Sequence, residues 1–156
     1  MRKPDSREIS AVRFLEKAML LARKAADEDE VPVGALVIID GKIVGRGYNR
    51  RESKNDPCGH AEISALQSAA RKIGSWRLID ATLVVTLEPC PMCLAACQQA
   101  RVARVIYGAK DPKGGAISLG YPLHQDVRMN HRFEVIFEEF GPASEVLKAF
   151  FKAKRK

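Results

Sequence analysis

His60-Ala61-Glu62 and, about thirty positions later, Pro89-Cys90-Pro91-Met92-Cys93 are the residues whose types and spacing carry chemistry. One imidazole and two thiols make a donor set that zinc takes readily. Three protein ligands on a tetrahedral ion leave one position for water, whereas a structural zinc normally takes four. The three-ligand set is therefore the argument for catalysis. Glu62, two residues after the histidine, is placed to move a proton from that water to a substrate. Cys90 and Cys93 are one helical turn apart, so both sulfurs can face one ion. His60 and Cys90 both fall where helices are expected to begin, and a helix N-terminus favours a thiolate. The chain has four cysteines. Cys58 is near enough to His60 in sequence to complete a four-ligand structural site. Cys97, a turn beyond Cys93, reads as a small packed residue.

The elements that must position these residues follow from periodicity. Residues 6–29 read as an amphipathic helix, with Val12, Leu15, Met19, Ala22 and Ala26 at three- and four-residue steps. Two strands, 33–39 and 42–48, meet at Asp40-Gly41, a strong two-residue hairpin signal. Residues 49–59 are a polar loop. His60 opens a second helix with Ile63, Leu66, Ala70 and Ile73 on one face. The apolar run 81–87 reads as a buried central strand. A helix from Pro91 to about residue 100 follows, then a strand at 102–107. Residues 109–132 form a long connection holding a short helix. A fifth strand spans 133–137, Gly141-Pro142 breaks the chain, and a last helix covers 144–154. Strands alternating with helices imply one sheet covered on both faces. The expected fold is α/β, a three-layer αβα sandwich on a five-stranded mixed sheet, with residues 1–156 as a single domain.

Composition narrows the classes. At 156 residues and 46% apolar content, a globular core is favoured over disorder. No apolar run approaches a membrane span, and Met1–Asp5 lacks the features of a signal peptide, so a cytoplasmic protein is expected. The net charge of +7 suggests a polyanionic partner. Five basic residues and no acidic one lie between Lys148 and Lys156, as a solvated helix end or a nucleic-acid contact.

Further stretches carry a resemblance. Glu30-Val31-Pro32-Val33-Gly34-Ala35, Tyr48-Asn49-Arg50, Asp56-Pro57, Thr86-Leu87-Glu88-Pro89-Cys90, Met129-Asn130-His131-Arg132 and Phe150-Phe151 join the two donor motifs. Together they resemble the bacterial tRNA-specific adenosine deaminases of the cytidine/deoxycytidylate deaminase superfamily, whose signature is H-x-E…P-C-x-x-C. The resemblance covers nearly the whole chain. It implies a cytidine deaminase-like fold and a homodimer with one zinc per subunit, held by His60, Cys90 and Cys93. It implies hydrolysis of the wobble adenosine of an arginine tRNA anticodon to inosine by zinc-activated water, with Glu62 as proton shuttle. It also implies that Asn49 contacts the flipped-out nucleotide and that Asp111 lies on a loop touching neighbouring anticodon bases. Phe150 and Phe151 would help hold the anticodon stem-loop. Each of these has a plainer reading: a turn residue for Asn49 and Asp111, core aromatics for the phenylalanines. His131 and Arg132 read as structural.

Two departures from the family bear on substrate more than on reaction. Cys58-Gly59 stands where the family usually has Thr-Ala before the zinc histidine. Residues 117–128 match poorly and are expected to border the pocket or a dimer contact. Two rival readings remain at this level. One is a deaminase of a free base or nucleoside, such as guanine, cytosine or cytidine, on the same fold. The other is a noncatalytic RNA-binding module with a structural zinc.

Overall fold

A computed structural model describes residues 6–155, with side chains from residue 11. Expectations that fall on residues 1–5 and on Lys156 lie outside the described residues. The elements are α1 (Ser6–Asp27), β1 (Gly34–Ile39), β2 (Lys42–Tyr48), α2 (Ala61–Ile73), β3 (Thr82–Val85), α3 (Pro91–Gln99), β4 (Arg104–Tyr107), a 3-10 turn (Leu123–Gln125), β5 (Glu134–Phe137) and α4 (Gly141–Lys154). The sheet order is β2-β1-β3-β4-β5. β1 is antiparallel to β2 and β3, while β3, β4 and β5 run parallel. This is the expected αβα sandwich on a mixed five-stranded sheet.

Period-two alternation sorts the strand side chains onto two faces. Leu36, Ile38, Val84 and Ile106 pack under α1 with Ala11, Leu15 and Ala18. Ala35, Val37, Leu83, Val85, Val105 and Tyr107 face the other way, against Ala61, Ala65 and Ala69 of α2 and Leu94 and Cys97 of α3. Asp40 (φ 51°) and Gly41 (φ 73°) both take the left-handed conformation that a type I′ hairpin turn demands.

Three local expectations are corrected. Gly141-Pro142 does not break the chain; it is the first turn of α4, where proline is tolerated because no N–H is needed there. Val12 is exposed and not on the buried face of α1. The face of α2 is as expected only in part: Leu66 is buried in the core and Ala70 packs against it, but Ile73 is 42% exposed, and the side closest to the sheet is the alanine row Ala61, Ala65 and Ala69. The cause lies on β2. A Cβ added at Gly47 would sit 2.3 Å from the Ala61 carbonyl oxygen, and one at Gly45 would sit 2.3 Å from that of Ala65. Backbone therefore rests on backbone, and only alanine fits between. Gly47→Ala is expected to push the start of α2 off the sheet, costing about 1–3 kcal/mol or more. Thermal unfolding should show a Tm lower by several degrees; an unchanged Tm would contradict this packing.

Candidate active site

The end of β2 and the start of α2 are tied together by one side chain. Asn49 is buried, and its Oδ1 accepts the Ala61 N–H at 2.8 Å. The Arg50 N–H donates to the Gly59 carbonyl at 2.9 Å, closing the polar loop 49–59 back to the same point. Glu30, also buried, holds the outside of that loop by accepting the Glu52 and Ser53 N–H groups at 3.0 and 2.8 Å. Burial pushes the Glu30 pKa up, but the hydrogen bonds from residues 51–53 outweigh it and leave the group below its usual value. His60 is thereby delivered as the N-cap of α2, in extended conformation (φ −88°, ψ 150°).

Cys90 is the N-cap of α3, again extended (φ −72°, ψ 169°), with Pro91 opening the helix. The His60 Nδ1 lies 3.6 Å from the Cys90 Sγ and 3.4 Å from the Cys93 Sγ. All three donor atoms fall within 4.8 Å of one another. Tetrahedral zinc with Zn–N near 2.0 Å and Zn–S near 2.3 Å requires N···S edges of about 3.6 Å. The donor set and its spacing therefore fit a zinc-sized ion. The electrostatics agree. A hydrogen bond from Cys93, together with His60 and the Cys93 N–H, brings the Cys90 thiol down to about 4. The same sulfur–sulfur hydrogen bond, with burial, pushes Cys93 up. His60 is raised mainly by its hydrogen bond to Cys90.

Glu62 lies in the first turn of α2 and is only 4% exposed. Burial raises its pKa to about 7, against the opposing pull of its own backbone N–H and of His60. A carboxyl group balanced near neutrality can both take and give a proton. Cys58 is exposed and stands outside the donor cluster, so it completes no four-ligand site among the described residues. Cys97 packs in the main core, and burial holds its thiol protonated.

A third buried carboxylate anchors the loop after β4. Glu88 accepts the Asp111 N–H at 3.1 Å, the Ser118 N–H at 2.8 Å and the Ser118 hydroxyl at 2.6 Å. A Cβ at Gly115 would come 1.9 Å from the Glu88 Oε2, so this loop must pass the carboxylate as glycine. The Ala116 N–H donates to the Pro89 carbonyl at 2.8 Å, which seats the poorly matching stretch 117–128 directly behind the cysteine motif. Neither Glu30 nor Glu88 stands in a spacing pattern. Both stand in stretches that carry the family resemblance, but nothing in the sequence marks their role.

The remaining sequence candidates separate into two places. Asn49, Phe150 and Phe151 line one cavity of ≈ 660 Å³, with Arg51 and Lys154 and the acidic residues Glu28, Asp29, Glu30 and Glu52; Lys154 is paired with Asp29 at 2.6 Å. The two phenylalanine rings meet edge to face at 5.4 Å; Phe151 is 44% exposed and does not belong to the core. Asp111 is not on that cavity. Its Oδ1 accepts the Lys113 and Gly114 N–H groups at 3.2 and 3.1 Å, so its carboxylate shapes a turn. His131 is structural as expected: its ring stacks on Phe133, with Nε2 2.7 Å from the Val102 carbonyl.

Comparison with known proteins bears on the whole chain. The family of MafB19-like deaminases matches residues 9–155. The tRNA-specific adenosine deaminase of Bacillus subtilis is 43% identical over 147 residues, covering 92% of this chain and 89% of its own. That of Agrobacterium fabrum is 42% identical over 143 residues, covering 91% and 94%. A solved structure from work on A-to-I editing by tRNA:A34 deaminases at the wobble position of transfer RNA superposes with a TM-score of 0.81. It is 42% identical and covers 86% of this chain and 99% of that one. On this identity, held along nearly its full length, the chain belongs to the tRNA-specific adenosine deaminase family.

Proposed function

We infer that this chain, as one domain, hydrolyses the wobble adenosine of a tRNA anticodon to inosine, with arginine tRNA as substrate. The observation that supports it most is the pairing of a three-donor cluster with a buried carboxyl two residues after its histidine, in a chain 43% identical to a tRNA-specific adenosine deaminase. His60, Cys90 and Cys93 would hold one zinc. That ion supplies Lewis acidity to a water at its fourth position.

The protein's own groups do the rest. Glu62 takes a proton from the attacking water and gives it to N1 of the adenine as the C6–O bond forms. It then carries the second proton to the amine, the C6–N bond breaks, ammonia leaves, and inosine remains. Two helix N-termini converge on the cluster and favour the negative charge that develops there. Asn49 fixes the start of α2 through Oδ1, and among the described residues nothing takes its NH2 group, which is left to hold the flipped nucleotide. A loop nucleotide costs less to flip than a paired one. Phe150 and Phe151, on the same cavity as Asn49, offer stacking surface at the basic end of α4. Asp111 would act through the turn that it shapes, presenting the loop to the flanking bases.

The outer face of α2 supports a homodimer. Trp76, 55% exposed, lines an apolar groove where Ile63, Leu66 and Ala70 of α2 meet Ala96 and Ala100. An apolar surface of this kind marks an interaction site. No helix among the described residues is long and apolar enough to cross a membrane, which suits a cytoplasmic tRNA enzyme.

Incubation with total bacterial tRNA, followed by sequencing, is expected to show A-to-G readout at the wobble position of arginine tRNA. Light scattering of the same preparation should give twice the chain mass. Removing the residues after Phe151 should weaken the reaction on tRNA while sparing any activity on free nucleosides. Equal activity on tRNA before and after truncation would leave a free-base deaminase as the better reading.

A further inference from the structure

A second polar cavity lies on the other side of the β2–α2 junction. It has a volume of ≈ 350 Å³ and opens at the free edge of β2, which is an outer strand of the sheet. Arg46 from β2, Arg50 just after it and Arg71 from α2 line it, together with Ser64, Gln67 and Ser68. No carboxylate lines it. Among the described residues, none of the three arginines takes part in a salt bridge. The Arg50 guanidinium lies over the Tyr48 ring at 4.2 Å and donates through Nη2 to the Tyr48 hydroxyl, which fixes its plane. Its Nε is buried and has no hydrogen-bond partner. Lys24 adds a further cation, 5.3 Å from the centre of the same ring. One acid, Glu28, stands by the Tyr48 hydroxyl and lines the neighbouring cavity with Asn49.

Three guanidiniums without a carboxylate partner, with hydroxyl and amide donors between them, form a site for an anion with several acceptor oxygens. The plainer reading of Arg46 is that a charge on an edge strand deters strand addition. That reading does not account for Arg71, which stands on a helix, or for the buried donor of Arg50. The groove also has a direction. It starts at Arg50, next to Asn49 and hydrogen-bonded to Gly59, and follows α2 from Ser64 to Arg71. Seven residues of helix span roughly 10 Å, enough to lie along more than one phosphate of a strand.

We propose that the Arg46–Arg50–Arg71 groove binds backbone phosphates of the RNA substrate as one strand leaves the active site, apart from the cavity that holds Asn49 and the Phe150–Phe151 pair. This rests on the tRNA reading given above. Arg46 and Arg71 are exposed, so their replacement leaves the fold intact.

The test is binding of a fluorescein-labelled arginine tRNA anticodon stem-loop, by anisotropy across a salt series, with deamination kinetics alongside. For Arg46→Ala/Arg71→Ala, KM should rise about tenfold with kcat within twofold. The slope of log K against log salt should flatten by ~1.4, because two single-strand phosphates are no longer neutralised by the protein. Arg46→Lys/Arg71→Lys should restore most of the slope. An alanine variant with wild-type KM and slope overturns the proposal, as does weaker binding at unchanged slope or a changed oligomeric mass. If the wild-type chain neither binds nor deaminates the stem-loop, the tRNA reading itself fails, and this proposal fails with it.

Discussion

Glu62→Gln is expected to cut kcat on the tRNA substrate by about 10²–10⁴-fold, the usual contribution of a positioned proton-transfer group, while one zinc per chain remains bound. Glutamine keeps the shape of the side chain but cannot carry a proton from water to N1 and on to the amine. The donors His60, Cys90 and Cys93 are untouched, so zinc content by elemental analysis should equal that of the wild type. Loss of zinc together with activity would assign Glu62 to the metal rather than to the proton.

The metal-free forms add a separate readout. In the fold, burial raises the Glu62 pKa to about 7 from a reference of 4.5. Between those values the folded chain holds a proton that the unfolded chain has lost, so stability falls as pH rises through this window. The deficit grows to a value on the order of 3 kcal/mol above pH 7. Metal-free Glu62→Gln has no such group and should not share this decline. Denaturant titrations from pH 4.5 to 8, with zinc chelated, should show the two stability curves diverging. Parallel curves would mean that water reaches this carboxylate after all.

The second large effect is expected from Cys90→Ala. Cys90 is half-buried at the position just before α3, and its side chain makes no capping hydrogen bond, so this change removes a ligand without opening a core cavity. Bound zinc should fall to near zero after dialysis against a mild chelator. Turnover should drop by roughly 10³-fold or more, corresponding to about 4 kcal/mol of lost transition-state stabilisation. Zinc added at millimolar excess should restore little, because two donors do not define a tetrahedral site. Retention of stoichiometric zinc in this variant would show that another side chain replaces the sulfur. Cys58, the nearest candidate in sequence, is exposed and outside the cluster.

The donor cluster was legible in the sequence because its geometry is local. His60 and Glu62 share one helix turn, Cys90 and Cys93 share another, and each pair is placed by its own helix start. The hairpin was legible for the same reason, since Asp40-Gly41 encodes its own dihedral angles. The face of α2 was legible only in part: Leu66 is buried as expected, Ile73 is not. Helical periodicity finds the bulkiest apolar stripe, but the buried stripe is set by how closely the partner approaches. That partner is Gly45 and Gly47, on an element fourteen or more positions upstream of Ala61. Asp111 shows the opposite limit. Its neighbours Pro112 and Gly114-Gly115 announced a turn, and the structure has one, with the carboxylate bonded to two backbone N–H groups. The roles of Glu30 and Glu88 were invisible because their partners are backbone donors 22 to 30 positions away, and no residue type marks a backbone donor.

Glu88 has a consequence for how members of this family can diverge. Its carboxylate belongs to the cysteine motif by covalent neighbourhood and to the loop 111–118 by hydrogen bonding. Changes in that loop are therefore not independent of the metal-holding segment, and their effects should be epistatic on substitutions at Ser118 and Gly115. A loop transplanted from a deaminase of different substrate preference would work only if it arrived with a glycine and a donor in register for the resident carboxylate. The loop 111–118 and the metal-holding segment are coupled here through one carboxylate.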